Sequence, residues 1–171
     1  MLKAAIIGLG WWGQTLARVL HGSNVITPVL GIDPDEKARA GAQVLGLRTA
    51  TRFEDALDAP DVQAIILCTP HKQHAAQIIA AAAAGKHVFC EKPLCTDPDE
   101  AEGAFSSVAK AGVTLGIGHE RRFEPAIIEM RERAQRGELG TLLAIEGNFS
   151  QDKFLKLPAD NWRLSPIHAL S

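Results

Sequence analysis

Gly8, Gly10 and Gly13 share the spacing G-x-G-x-x-G within "AAIIGLGWWGQ", where an apolar run gives way to a helical segment. That arrangement suits the holding of a pyrophosphate. The first glycine permits a tight turn and the second lets backbone approach the anion. The third lets helix and strand pack closely, while the helix N-terminus presents unpaired N–H groups. Glycine also collects at turns that hold nothing, so a plain strand–turn–helix is the rival reading. Context favours the cradle: the motif follows a strand, opens a helix, and has an acidic residue, Asp33, twenty positions beyond Gly13. At the end of a second strand, Asp33 would accept hydrogen bonds from both hydroxyls of a ribose. Its charge would repel a 2′-phosphate, which favours NAD; Lys37 and Arg39 nearby keep NADP as the lesser alternative. Trp11 and Trp12 fill the gap between the last two glycines, where backbone rather than side chain meets phosphate. They are read both as cofactor contacts and as packing against a loop or partner domain.

Two further sets lie at expected strand ends, "CTPHKQH" from Cys68 to His74 and "CEKPL" from Cys90 to Leu94. Ligands of parallel sheets sit beyond the carboxyl ends of the strands, so both sets are expected to face the crevice of the glycine turn. An isolated lysine is ordinarily a solvated charge, but Lys92 at a strand end is a candidate for function. A lysine can orient a hydroxyl and help its proton leave. His74 is read either as a site residue or as a cap for its own helix, and His71 is left open. His87, Cys90 and Cys95 invite a metal reading. Cys90 follows His87 by three positions on a strand, so their side chains face opposite ways, and no metal is expected. Cys68 and Cys90 are read as packing residues.

The elements that must position these groups alternate. Strands are expected at Leu2–Gly8, at Val29–Ile32 after Pro28, in "VQAIILCTP", in "KHVFC" and in "VTLGIG". Helices are expected over 13–20, 35–45, 53–58, 72–84, from Asp97-Pro98-Asp99-Glu100 onward, and over 125–136. Asp97 supplies an N-cap, Pro98 a first-turn proline and Glu100 an acidic third position. Such alternation implies an α/β fold, a doubly wound parallel sheet of Rossmann type with helices on both faces. After Gly140 the texture changes. "TLLAIEGNF" alternates like a strand of a different sheet, so a boundary is expected near residue 140, with 1–140 a dinucleotide-binding domain and 141–171 only the start of a second α/β domain. The 171 residues carry a net charge of -2, which gives no electrostatic argument for nucleic acid or an anionic membrane. No apolar run reaches the ~20 residues of a spanning helix. Three cysteines cannot all pair and suit a reducing cytoplasm as free thiols.

The stretch from "TP" to His74, the alanine-rich helix, "AGKHVFCEKPL" and "GHERRFEPA" together resemble the Gfo/Idh/MocA oxidoreductases, the glucose–fructose oxidoreductase and inositol dehydrogenase family. The resemblance runs in order from residue 1 to about 150. It implies that Lys92 is catalytic, beside the nicotinamide and the substrate carbinol. Glu91 would contact the cofactor or fix its loop, and Pro93 would stiffen it through a cis Lys–Pro bond. Thr69, Pro70 and His74 would lie along the cofactor, and Arg122 near nicotinamide or substrate. His119 and Arg121, by contrast, are read on their own as loop or surface residues. The reaction implied is hydride transfer between NAD and a sugar- or cyclitol-like alcohol. Two alternatives stand beside it: a non-catalytic module that senses NAD(H), and NAD-assisted glycoside hydrolysis. Family members are longer and homo-oligomeric, and their usual acid/base histidine follows a D-x-G pattern that His168 lacks. The chain alone is therefore expected to bind NAD(H) and to turn over little or no substrate.

Overall fold

The computed structural model describes residues 1–150 and, beyond them, 152, 155, 157–159, 161 and 164. Six strands form one sheet: β1 (Leu2–Ile7), β2 (Ile26–Ile32), β3 (Arg48–Ala50), β4 (Ala64–Leu67), β5 (His87–Cys90) and β6 (Leu115–Ile117). Their spatial order is β3-β2-β1-β4-β5-β6 and every pairing is parallel. The order reverses between β1 and β4, the switch point where open α/β sheets bind ligands. The helices are α1 (Trp11–Leu20), α2 (Glu36–Gln43), α3 (Glu54–Leu57), α4 (His74–Ala83), α5 (Pro98–Ala111) and α6 (Pro125–Gln135).

Strands buried on both faces carry apolar residues in succession, and the Ala4–Ile7 run of β1 shows why. Ala5 and Ile7 join Leu30, Ile32, Ile65, Leu67, Ile78, Val88 and Val108 in one core, under α4 and α5. Ala4 and Ile6 face the other way and join Leu9, Ala17, Ala42, Leu47 and Ile66, under α1 and α2. The start of α5 is as expected: the Asp97 side chain accepts from the N–H groups of Asp99 and Glu100, with Pro98 in the first turn.

The second strand begins earlier than the sequence suggested, at Ile26, and takes Pro28 into a central position. A bulge makes this possible. Ala4 pairs with Pro28 but Ala5 pairs with Leu30, so Val29 is an extra residue, and β3 reaches only Leu30, Gly31 and Ile32 on the other side. Proline in a sheet interior is tolerated at such a bulge. Helix α1 starts at Trp11 rather than Gly13, which puts both indoles in its first turn. The expected strand in 142–149 does not form. A strand is made by its ladder, and no partner strand lies beside this segment among the described residues; Leu143 and Ile145 are 92% and 86% exposed.

Candidate functional site

Past the carboxyl ends of the strands the chain keeps bonding sideways. Asp33 N donates to Ala50 O, Gly8 N to Ile32 O, Cys68 N to Ile7 O, Glu91 N to Leu67 O and Gly118 N to Cys90 O, at 2.8–3.2 Å. Asp33, the glycine turn, the Thr69 loop and the Glu91–Pro93 loop therefore stand side by side along one edge of the sheet. The sequence motifs are brought together by this row.

The turn is closed by two contacts that leave no room for a side chain. Gly8 has φ +86°, and a Cβ there would stand 2.8 Å from the Cys68 carbonyl oxygen. A Cβ on Gly13 would stand 1.9 Å from the Gly8 carbonyl oxygen. At Gly10 the space is open: a Cβ would meet nothing within 4 Å. Gly10 is also the N-cap of α1 and offers no side chain, so the first N–H groups of the helix are left for another acceptor. Closed where strand meets helix and open where backbone faces the crevice, the turn fits a pyrophosphate.

Asp33 is half-buried and already ties the turn: its Oδ2 accepts from Leu9 N at 2.7 Å and its Oδ1 from Asp35 N at 2.8 Å. Each carboxylate oxygen retains acceptor capacity for a ribose hydroxyl. The Arg39 guanidinium lies against it, donating from Nη1 to the carbonyls of Asp33 and Pro34, both at 2.8 Å. Trp11 is 77% exposed and stacks at a tilt on Trp12, 5.4 Å between centroids. The buried Nε1 of Trp12 has no hydrogen-bond partner among the described residues.

On the far side of the switch point, Thr69 donates from Oγ1 to Gln77 Oε1 at 2.6 Å, and Pro70 leads into a 3₁₀ turn, His71–Gln73. His74 is fully buried, with both ring nitrogens engaged by backbone carbonyls, and it does not cap α4. Lys92 is exposed on the crevice edge, and the Lys92–Pro93 peptide bond is cis, as the resemblance implied. Glu91 is pinned against Gly118, where a Cβ would stand 2.8 Å from its Oε1, and its Oε2 accepts from Lys92 N at 3.3 Å. Arg122 is exposed in the 3₁₀ turn Glu120–Phe123 after β6, beyond the end of the row. Arg121, its neighbour, bonds Glu124 and lies over the Phe149 ring, a surface role. Gly118 and Gln77 were not singled out from sequence. A glycine directly after a strand was the available signal for the first; nothing marked the second. His168 lies outside the described residues.

All three cysteines are free. Burial, then the Glu91 carboxylate, then the neighbouring thiols push Cys68 and Cys90 from the ordinary 9.0 up to about 12. The thiolate is the nucleophile, so iodoacetamide at pH 8 is expected to alkylate neither residue in the folded chain, any label going to Cys95. Because the folded thiols ionise later than the unfolded ones, the stability they contribute is whole below pH 9.0 and is lost as pH rises towards about 12. Peptide mapping after labelling, and urea midpoints across that window, measure both effects.

A profile described as the oxidoreductase family with an NAD-binding Rossmann fold matches residues 2–119. The chain belongs to the Gfo/Idh/MocA oxidoreductase family. Among its Gfo/Idh/MocA relatives is the scyllo-inositol 2-dehydrogenase (NAD(+)) of Bacillus subtilis, 32% identical over 89% of this chain and 45% of that protein. A putative NADPH-dependent oxidoreductase from Desulfitobacterium hafniense superposes with a TM-score of 0.88 at 30% identity, over 98% of this chain and 49% of that one. The scyllo-inositol dehydrogenase of Lactobacillus casei, solved with NAD(H) and scyllo-inositol, gives 0.75 at 25% identity, over 82% of this chain and 42% of that one. The chain thus spans less than half the length of the curated relative and about half or less of the two solved chains. The cofactor of this Gfo/Idh/MocA domain is NAD, in keeping with the carboxylate at Asp33.

Proposed function

We propose that this chain is the nucleotide-binding part of an NAD-dependent dehydrogenase acting on a sugar- or cyclitol-class alcohol, with the domain boundary near residue 140. The observation that carries the reading is the continuous row of strand-end loops, with the glycine turn and Asp33 on one side of the switch point and Thr69, Glu91 and Lys92 on the other. Gly10 and the uncapped start of α1 receive the pyrophosphate, and Asp33 the adenosine ribose. When bound, the nicotinamide supplies the acceptor or donor of hydride. Lys92 orients the substrate hydroxyl and relays its proton, and Glu91, held against Gly118, fixes the lysine's loop. Thr69, Pro70, Trp11 and Trp12 border the same crevice, and Arg122, beyond the end of the row, is assigned to the nicotinamide or substrate side by the family resemblance alone. The Bacillus subtilis relative, a scyllo-inositol 2-dehydrogenase, supports the cyclitol class over a sensing module or a hydrolase. Three unpaired thiols support a reducing cytoplasm, and the family resemblance is what supports a homo-oligomer for the whole protein.

The test is a titration of the purified chain with NADH, read as energy transfer from its three indoles, Trp11, Trp12 and Trp162. Quenching of indole emission with saturation below millimolar NADH is expected. Folded material that gives no transfer at millimolar NADH would overturn the reading.

A further inference from the structure

We propose that His74 is a positioning residue that clamps the loop after β4 to the loop after β5 and so sets the spacing between the backbone at Thr69 and the backbone at Lys92. The proposal rests on the reading of this edge as the NAD(H) site. The ring is 0% exposed, and it is the polar or charged side chain that the described residues bury completely. Its Nδ1 lies 2.9 Å from the Pro93 carbonyl oxygen and its Nε2 lies 2.9 Å from the Thr69 carbonyl oxygen. Both ring nitrogens are spent on backbone, so His74 has none left for a cofactor or substrate and acts through what it holds.

The ladder explains why a side chain is needed there. Parallel rungs recur at every second residue. Glu91 N donates to Leu67 O, so the next rung would run from the N–H of residue 93 to the carbonyl of Thr69. Residue 93 is proline and has no N–H to give. The His74 imidazole stands in the missing rung, against the Thr69 carbonyl with one nitrogen and the Pro93 carbonyl with the other. Burying an imidazole costs free energy that an aliphatic side chain would not. Ile78, one turn further along α4 and equally buried, shows what simple packing uses at such a place. The imidazole is retained for its two contacts.

The experiment compares wild type, His74→Ala, His74→Asn, His74→Gln and the packing control Ile78→Ala. The first readout is the NADH dissociation constant from indole energy transfer. His74→Ala is expected to raise it about tenfold, since a loosened supporting shell misplaces the groups it carries. The Asn and Gln variants each keep one contact and fall between, and Ile78→Ala stays within about twofold of wild type. The second readout needs no ligand: amide hydrogen exchange at Glu91 and Lys92 relative to Val88. His74→Ala is expected to speed the first two about tenfold against Val88, whereas Ile78→Ala speeds all three together. Should His74→Ala fail to fold, the Asn and Gln variants carry the same comparison. Affinity and exchange ratios in the His74 variants equal to wild type, or matched by Ile78→Ala, would overturn the clamp. If wild type itself binds no NADH, the nucleotide reading falls, and the exchange ratios still decide the clamp.

Discussion

Gly13→Ala is expected to abolish NADH binding and to cost the fold about 3 kcal/mol or more, at the top of the range for overpacking a tight site. The added methyl would stand 1.9 Å from the Gly8 carbonyl oxygen, with Ile6 Cγ2 at 3.5 Å. The obstacle is backbone, and it belongs to a residue that is itself fixed. Gly8 sits at φ +86°, its N–H bonds Ile32 O at 2.8 Å, and Cys68 stands against its open side. Neither α1 nor the turn can yield alone, so the first turn of α1 lifts off the strand and its N–H groups leave the crevice. Gly10→Ala is the control. Its site has φ -61° and nothing within 4 Å of the added methyl, so the protein folds as before. Urea midpoints together with NADH titrations separate the two: Gly13→Ala loses stability and binding, whereas Gly10→Ala loses binding alone.

Lys92→Ala is expected to lower turnover by about 10²–10⁴-fold, the reach of a positioned proton-transfer group, while NADH affinity stays within about threefold of wild type. The side chain is exposed at the crevice edge and is not needed to hold its own loop. That loop is fixed by Glu91 N on Leu67 O, by Glu91 against Gly118 and by the Pro93 carbonyl on His74. Truncating the lysine therefore removes an amine and leaves the backbone in place. The measurement is steady-state NAD+ reduction with a cyclitol alcohol, in whatever length of polypeptide sustains turnover. Equal turnover in variant and wild type would remove Lys92 from the proton transfer, and NADH binding without turnover in either would favour the sensing module.

Much of the fold was legible where burial is continuous or a cap is explicit. "AAII", "AIIL" and "HVFC" are apolar enough to read as inner strands, and Asp97-Pro98 announces α5 from local chemistry alone. The misses have physical causes. Strand β3 is three residues, "RTA", too short and polar to show a period, and it exists because Leu30, Gly31 and Ile32 offer it a ladder. Alternation in 142–149 is a pattern without a partner, and pattern alone does not make a strand. At the site, glycines and strand ends carry their own signal. The partners of His74 do not, because they are main-chain carbonyls five and nineteen residues away, and main-chain atoms look alike at every position.

The bulge at Val29 makes β2 a two-state alphabet with one inserted letter. Before it, Ile26 packs with Leu16 and Leu20; after it, Leu30 and Ile32 point to the opposite core and Gly31 takes the place under Leu9. Removing Val29 would leave every pair as it stands, Ala4 with Pro28 and Ala5 with Leu30, but it would close Pro28 into a regular ladder, where a residue without an N–H is poorly accommodated. A residue lost between Leu30 and Asp33 has no such outlet: it would turn the Asp33 carboxylate away from the Leu9 amide. The bulge thus absorbs an odd residue upstream, and the aim of the carboxylate is set by the ladder that follows it.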